Sequence, residues 1–214
     1  MSLLTNFDTV WSPTRESYKY SQLYGFIKAL NDEFKLSLKD YLSLHQWAIQ
    51  NPHLFWGAMW RFFNIKCYTS YDQVYESKSF LETTWFPGAT LNYAEHCLDF
   101  NDHYDAIISV DQTGHSTRSS YADLTKKVAK LQAFLKQKNI QKGDRVVCFS
   151  TNCEETIVCF LAVVSLGAIW ASCATEFGYD AVLSRFGQLD AKCFIFSNYH
   201  HYKHKTIQNY ELIN

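Results

Sequence analysis

Glycine is scarce in this chain. There are eight in 214 residues, and the two nearest in sequence, Gly178 and Gly187, stand nine positions apart. A loop that cradles phosphate needs several glycines close together, because its backbone N–H groups must converge on the oxygens with no Cβ atoms in the way. No such loop is built from these residues. Charge of one sign is missing too: 20 Lys and Arg stand against 21 Asp and Glu, a net charge of −1. That balance gives no electrostatic ground for nucleic acid or an acidic membrane as partner. No apolar run reaches membrane-spanning length, and no basic segment followed by an apolar one opens the chain. The seven cysteines (Cys67, Cys97, Cys148, Cys153, Cys159, Cys173 and Cys193) contain no Cys-x-x-Cys pair. Their number is odd and four sit in apolar runs, so they read as small core residues of a reduced, cytoplasmic protein rather than a disulfide frame or a zinc site. Also absent are a Gly-x-Ser-x-Gly elbow, an acid–base carboxylate couple, internal repeats and low-complexity segments.

What is present points to a packed core. Apolar residues make up 47% and aromatics 17%, which excludes a disordered chain, and the length suits one large domain or one and a half. The clearest pattern runs from Lys142 to Ser197. Arg145–Ser150 is an apolar run behind a Gly143-Asp144 turn, as expected of a strand buried on both faces of a parallel sheet. Thr151 and Asn152 offer helix caps, and Glu154 and Glu155 read as the charges of a helix start. The helix body Ile157–Leu166 is apolar nearly all round and ends at Gly167. Ala168–Ser172 is a second strand, Val182, Phe186 and Leu189 mark another helix, and Cys193–Ser197 is a third strand. A β-α-β-α-β order predicts an open, mostly parallel, doubly wound α/β sheet. Arg185 is expected at the edge of its helix, paired to a carbonyl or carboxylate.

Upstream, residues 1–100 read as a helical, aromatic-rich N-terminal extension, and 101–214 as a partial α/β subdomain. Ser12-Pro13 predicts a helix running to about Leu30, Ser37 a cap for Leu38–Gln50, and Asn51-Pro52 the start of a third helix. The aromatic stripe from Leu54 to Phe63 reads as a surface packing this layer on the main domain rather than as a ligand box. Trp85–Gly88 is a turn, and Leu91–Leu98 a short helix. Asp105–Val110 and Ser116–Ser120 form a hairpin around Asp111–His115. Ser120 and Asp123 then box the start of a helix whose stripe is Leu124, Val128, Leu131 and Leu135. Lys126, Lys127, Lys130 and Lys136 form its wet face. His200, His201 and His204 share one turn, but no second cluster completes a metal site, so no metal ligand is assigned.

Three blocks carry a family resemblance. Trp85-Phe86-Pro87-Gly88-Ala89-Thr90-Leu91-Asn92-Tyr93-Ala94-Glu95 resembles the entry to the main domain of the acetoacetyl-CoA synthetases, members of the adenylate-forming acyl-CoA synthetase superfamily. Ser172-Cys173-Ala174-Thr175-Glu176-Phe177-Gly178 is similar to their Ser-Cys-Ser-Pro-Asp-Phe-Gly block, with Ala174, Thr175 and Glu176 departing from Ser-Pro-Asp. Val182-Leu183-Ser184-Arg185-Phe186-Gly187-Gln188 resembles the helix that follows. The resemblance runs from about Trp11 to Lys205. It implies the first sheet subdomain of a truncated synthetase, an ATP-dependent acetoacetate–CoA ligase using Mg²⁺. The family's phosphate loop, adenine motif, ribose-binding Asp and late catalytic lysine match nothing in these residues, so no catalytic residue is assigned. No bound cofactor is expected for the fragment alone. Tyr202 and Lys205 fit a Tyr-x-Tyr-x-Gly-Lys stretch that in related synthetases lies near the phosphates of coenzyme A, with His204 in place of the glycine. The resemblance thus implies Tyr202 and Lys205 as CoA-binding residues, acetoacetate and CoA as partners, and inactivity of the chain alone. The alternative is a degenerate, non-catalytic binding module. A vacated sheet face, with Trp170 and Phe177 turned to water, would favour a homodimer.

Overall fold

The computed structural model describes residues 11–100, 102–112, 114–202 and 205–210. Two compact units divide between Thr90 and Leu91. The segment 91–100, counted from sequence with the helical extension, therefore packs with the second unit.

In the first unit, α1 (Arg15–Lys19) and α2 (Gln22–Phe34) replace the single helix expected after Ser12-Pro13. Two caps decide this. Thr14 Oγ1 accepts from Ser17 N–H at 3.1 Å, and Ser21 Oγ accepts from Tyr24 N–H at 3.2 Å, so each hydroxyl starts its own helix. Helix α3 (Tyr41–Gln50) starts at Asp40 rather than Ser37, because Asp40 and Ser43 satisfy each other's backbone N–H groups in a capping box. Helix α4 (Pro52–Phe62) begins at Pro52 as the sequence predicts, although Asn51 turns its amide back to Trp47 O at 3.0 Å. Phe26, Ile27, Leu30, Leu44 and Ala58 form the core of this unit. The aromatic stripe packs within it: Trp60 meets Tyr71 and Phe86, and Trp56 meets Trp85, at centroid separations of 4.7–5.6 Å. Two-residue strands β1 (Tyr75–Glu76) and β2 (Thr84–Trp85) pair antiparallel beside them.

The second unit opens with the short α5 (Tyr93–Cys97) and the hairpin β3 (Asp105–Val110) and β4 (Ser116–Ser120). At its turn His115 N–H reaches Asp111 Oδ1; Thr113 lies outside the described residues. Helix α6 (Tyr121–Gln137) starts where Ser120 accepts from Asp123 N–H, and buries Leu124, Val128 and Leu135. Strand β5 (Arg145–Phe149), α7 (Glu154–Ser165), β6 (Ile169–Cys173), α8 (Tyr179–Phe186) and β7 (Cys193–Phe196) follow in the expected order. The sheet is parallel with strand order β6-β5-β7. Alternation along β5 explains the two winding faces. Val146, beside Trp170 and Cys193, faces the cluster built by α5, α6 and α7; Phe149, beside Cys173 and Phe196, faces Val182 and Phe186 of α8. The α/β, doubly wound expectation is met. Trp170, expected in water, packs against the first of these clusters, whereas Phe177 is 39% exposed. A hairpin absent from the sequence expectations, β8 (Tyr199–Tyr202) with β9 (Lys205–Gln208), is the last element among the described residues.

Helix α7 ends at Gly167, whose φ of +70° suits glycine and lets Ala168 N–H return to Val163 O. Its last carbonyls are held from outside. Asn92 Nδ2 donates to Val164 O (3.0 Å) and Ser165 O (3.3 Å), while Asn92 Oδ1 caps α5 by accepting from Ala94 and Glu95 N–H. One amide thus closes one helix and starts another. Asn92→Ala should lower unfolding free energy by about 1–2 kcal/mol. Asn92→Asp, which keeps the cap and loses the donor, should be destabilised as well. Chemical denaturation checks both; an Asp variant as stable as the wild type would contradict the bridging role.

Candidate functional site

A parallel sheet collects the loops that follow its strands at one edge. Here the chain steps from β5 to its neighbour β6, then crosses to the far side of β5 to make β7, and this reversal opens a crevice beyond the carboxyl ends of the strands. A cavity of about 780 Å³ lies there. Ser150–Asn152 after β5, Ala174–Tyr179 after β6, and the hairpin residues His200–Tyr202 and Ile207–Asn209 line it.

Hydroxyls tie the strand ends together beneath it. Ser150 Oγ and Ser197 Oγ are 2.6 Å apart, and Thr156 Oγ1 lies 2.9 Å from Ser150 Oγ and 2.8 Å from Thr151 O. Because Thr156 bonds back to Thr151 O, the N-cap of α7 is Cys153, not Thr151 or Asn152, and it makes no side-chain cap bond. Helix α8 starts at Gly178 with no side-chain cap either. Arg185 behaves as expected of a positioning group: it donates to Ala181 O at 3.0 Å and lies 4.2 Å over the Phe177 ring. All seven cysteines are unpaired; Cys148 and Cys173 are buried, Cys97, Cys153, Cys159 and Cys193 are half-buried, and Cys67, read as a core residue with the rest, is exposed. Burial pushes the Cys148 thiol up to about 12 and that of Cys159 up to about 11, so neither is a nucleophile at neutral pH.

Of the two residues expected to meet coenzyme A, Tyr202 lines the cavity. Lys205 stands opposite it in register at the turn end of the hairpin, exposed and outside the lining. Lys203 and His204, the latter one of the three histidines of that turn, lie outside the described residues; among the described residues no group of three or more His, Cys, Asp or Glu side chains is placed to hold a metal. His200 is buried. Its Nδ1 is 2.9 Å from Asn209 Oδ1, and Asn209 Nδ2 donates to Ser197 O at 2.7 Å. Nothing in the local sequence marks that pair, whose members are nine residues apart. The only cue to the hairpin itself was two short β-prone tetrads, Tyr199–Tyr202 and Lys205–Gln208, around two residues.

A second hollow, of about 730 Å³, lies along the lysine face of α6. Its charges are largely spoken for. Lys127 pairs with Glu154 at 2.5 Å and Arg118 with Asp105, leaving Lys126 and Lys130 in water as expected. The Lys127 ammonium and then the Ser119 hydroxyl hold the Glu154 carboxyl below its ordinary range.

Comparison with known proteins follows the same outline. Residues 96–212, more than half of the chain, match the family model described as "AMP-binding enzyme", and residues 41–97 match "Acetyl-coenzyme A synthetase N-terminus". An acetoacetyl-coenzyme A synthetase of Rhizobium meliloti is 35% identical over 186 residues, covering 87% of this chain and 29% of that protein. The acetoacetyl-CoA synthetase of Macaca fascicularis is 33% identical, covering 86% of this chain and 28% of its own length. A malonamoyl-CoA synthetase of Penicillium aethiopicum is 31% identical over 84% of this chain and 26% of that enzyme. Among solved structures, the acetoacetyl-CoA synthetase from Streptomyces lividans superposes with a TM-score of 0.88 at 29% identity, over 95% of this chain and 32% of that one. The chain therefore spans under a third of the length of these relatives, and the acetoacetyl-CoA synthetase resemblance read from its motifs is borne out.

The Glu154 pairing has a pH signature. A carboxyl whose folded value is depressed stabilises the fold above its unfolded value of about 4.5, and that stabilisation is lost as pH falls through the folded value. Glu154→Gln should cost about 0.5–1 kcal/mol at neutral pH, and the difference from wild type should shrink in acid below the ordinary carboxylate range. A difference that stays constant across that range would assign the effect to packing rather than charge.

Proposed function

The chain belongs to the AMP-binding enzyme family, and from that premise we propose that it serves acyl-CoA ligation as the portion that receives coenzyme A at the carboxyl edge of its sheet. In such a ligation a carboxylate attacks the α-phosphate of ATP, pyrophosphate leaves, and the acyl group then passes from AMP to the CoA thiol. These residues contribute to the thiol side. The observation that carries the reading is the cavity at the topological switch point, with Tyr202 in its wall and Lys205 paired with Tyr202 across the hairpin. The ATP side, with Mg²⁺, needs clustered glycines and a catalytic lysine that match nothing in these 214 residues.

Acetoacetate is the acid we assign. The named products of the relatives share one feature, a carbonyl β to the thioester, as in acetoacetyl-CoA and malonamoyl-CoA. A short acid bearing a 3-carbonyl is the class they have in common. A cytoplasmic setting goes with the reading, in keeping with seven unpaired cysteines.

Calorimetric titration of the 214-residue chain tests this directly. CoA should bind, dephospho-CoA more weakly, and Lys205→Ala should lose about fivefold in affinity for CoA while keeping that for dephospho-CoA. Pyrophosphate release from ATP, Mg²⁺ and acetoacetate should stay at the no-protein blank. No binding of CoA, or equal losses for both ligands, would overturn the assignment.

A further inference from the structure

The walls of the cavity come from separate stretches of chain, and a run of hydrogen bonds joins two of them. Strands β5 and β7 pair Phe149 with Phe196, so the next residues, Ser150 and Ser197, stand side by side where the sheet ends. Alternation turns the two phenylalanines to α8 and the two serines to the opposite face, where α7 starts. There the serine hydroxyls meet at 2.6 Å. Thr156 Oγ1, in the first turn of α7, lies 2.9 Å from Ser150 Oγ and 2.8 Å from Thr151 O.

The run continues into the hairpin. Ser197 O accepts from Asn209 Nδ2 at 2.7 Å, Asn209 Oδ1 lies 2.9 Å from His200 Nδ1, and Asn209 N–H donates to Asn198 O at 2.9 Å. Ser197 N–H in turn donates to Phe149 O at 3.0 Å. Ser197 therefore holds the end of β5 with its hydroxyl and N–H, and the hairpin with its carbonyl. A hydroxyl can donate and accept together, so hydroxyls in a row form one chain that polarises along its length. The three hydroxyl residues are half-buried and Asn209 is buried, which strengthens each bond in the run.

We propose that Ser197 is the positioning residue of this cavity, the joint through which the loop after β5 and the hairpin carrying Tyr202 and Lys205 move as one body. Ser150 and Asn209 line the cavity, and Ser197 acts through both. The assignment rests on the CoA reading above and adds to it the residue that sets the placement of the two walls.

Calorimetric titration with CoA reads the effect on binding. Ser197→Ala removes one oxygen and leaves the backbone bonds in place. Ser197→Ala and Ser150→Ala should each lose about fivefold in affinity, and the double variant should lose no more than either, because both remove the same bond. Ser197→Thr, which keeps the hydroxyl, should bind as the wild type does. Amide hydrogen exchange of the ligand-free chain reads the joint without CoA. Ser150→Ala lies on the β5 side, yet it should speed exchange of the Asn209 N–H, across the joint, by about fivefold. Losses that add in the double variant, a loss for Ser150→Ala alone, or Asn209 exchange unchanged by Ser150→Ala would overturn the role of Ser197 and leave the CoA reading standing. If CoA fails to bind the wild-type chain, the CoA reading falls and the positioning role falls with it, whatever exchange shows.

Discussion

Val146 through Phe149 are buried on both sides at once, and the rest of the second unit is arranged to satisfy that. Four side chains sealed from water contribute about 1.5–3 kcal/mol each at most, but only if each face has its own cover. The strand therefore takes a parallel neighbour on each edge, which pairs its backbone groups, and helices on each face. Because parallel neighbours need crossover connections, the order β6-β5-β7 with α7 and α8 on opposite faces follows. Salt bridges anchor the other end: Lys192 meets Asp144, and Arg145 meets Asp190, where β5 and β7 begin.

The same constraint places the candidate site. Once β5 is central, the loops after β5 and β6 and the hairpin after β7 must leave the sheet on one edge, where no strand continues to fill the space between them. Hydroxyls of Ser150, Ser197 and Thr156 satisfy the strand ends, and Asn209 fastens the hairpin to the last of them. The loops there carry side chains that stay largely exposed, such as Tyr202 and Tyr179.

Strand β5, the apolar body of α7 and its stop at Gly167 were legible in the sequence, because double burial leaves an unbroken apolar run and a left-handed stop calls for glycine. Helix starts were less so. Ser12 competes with Thr14, Ser37 with Asp40, and Thr151 with Cys153; each pair offers plausible caps, and only the path of the chain chooses between them. Segment 91–100 clusters with the second unit, and nothing local in the sequence announces it, because Asn92 acts on α7 carbonyls more than 70 residues away. The family blocks pointed to Tyr202 and Lys205, whereas the buried His200–Asn209 pair depends on a hairpin whose turn carries neither glycine nor an Asx-Gly step.

The identity with acetoacetyl-CoA synthetases is spread over most of this chain, so it fixes the frame more firmly than the ligand. Where coenzyme A sits is the central claim, and a backbone amide perturbation map of the 214-residue chain titrated with CoA tests it most directly. The account predicts that shifts concentrate at Ser150–Asn152, Ala174–Tyr179, His200–Tyr202 and Gln208–Asn209. Shifts centred instead on the lysine face of α6, from Arg118 to Lys130, would contradict it.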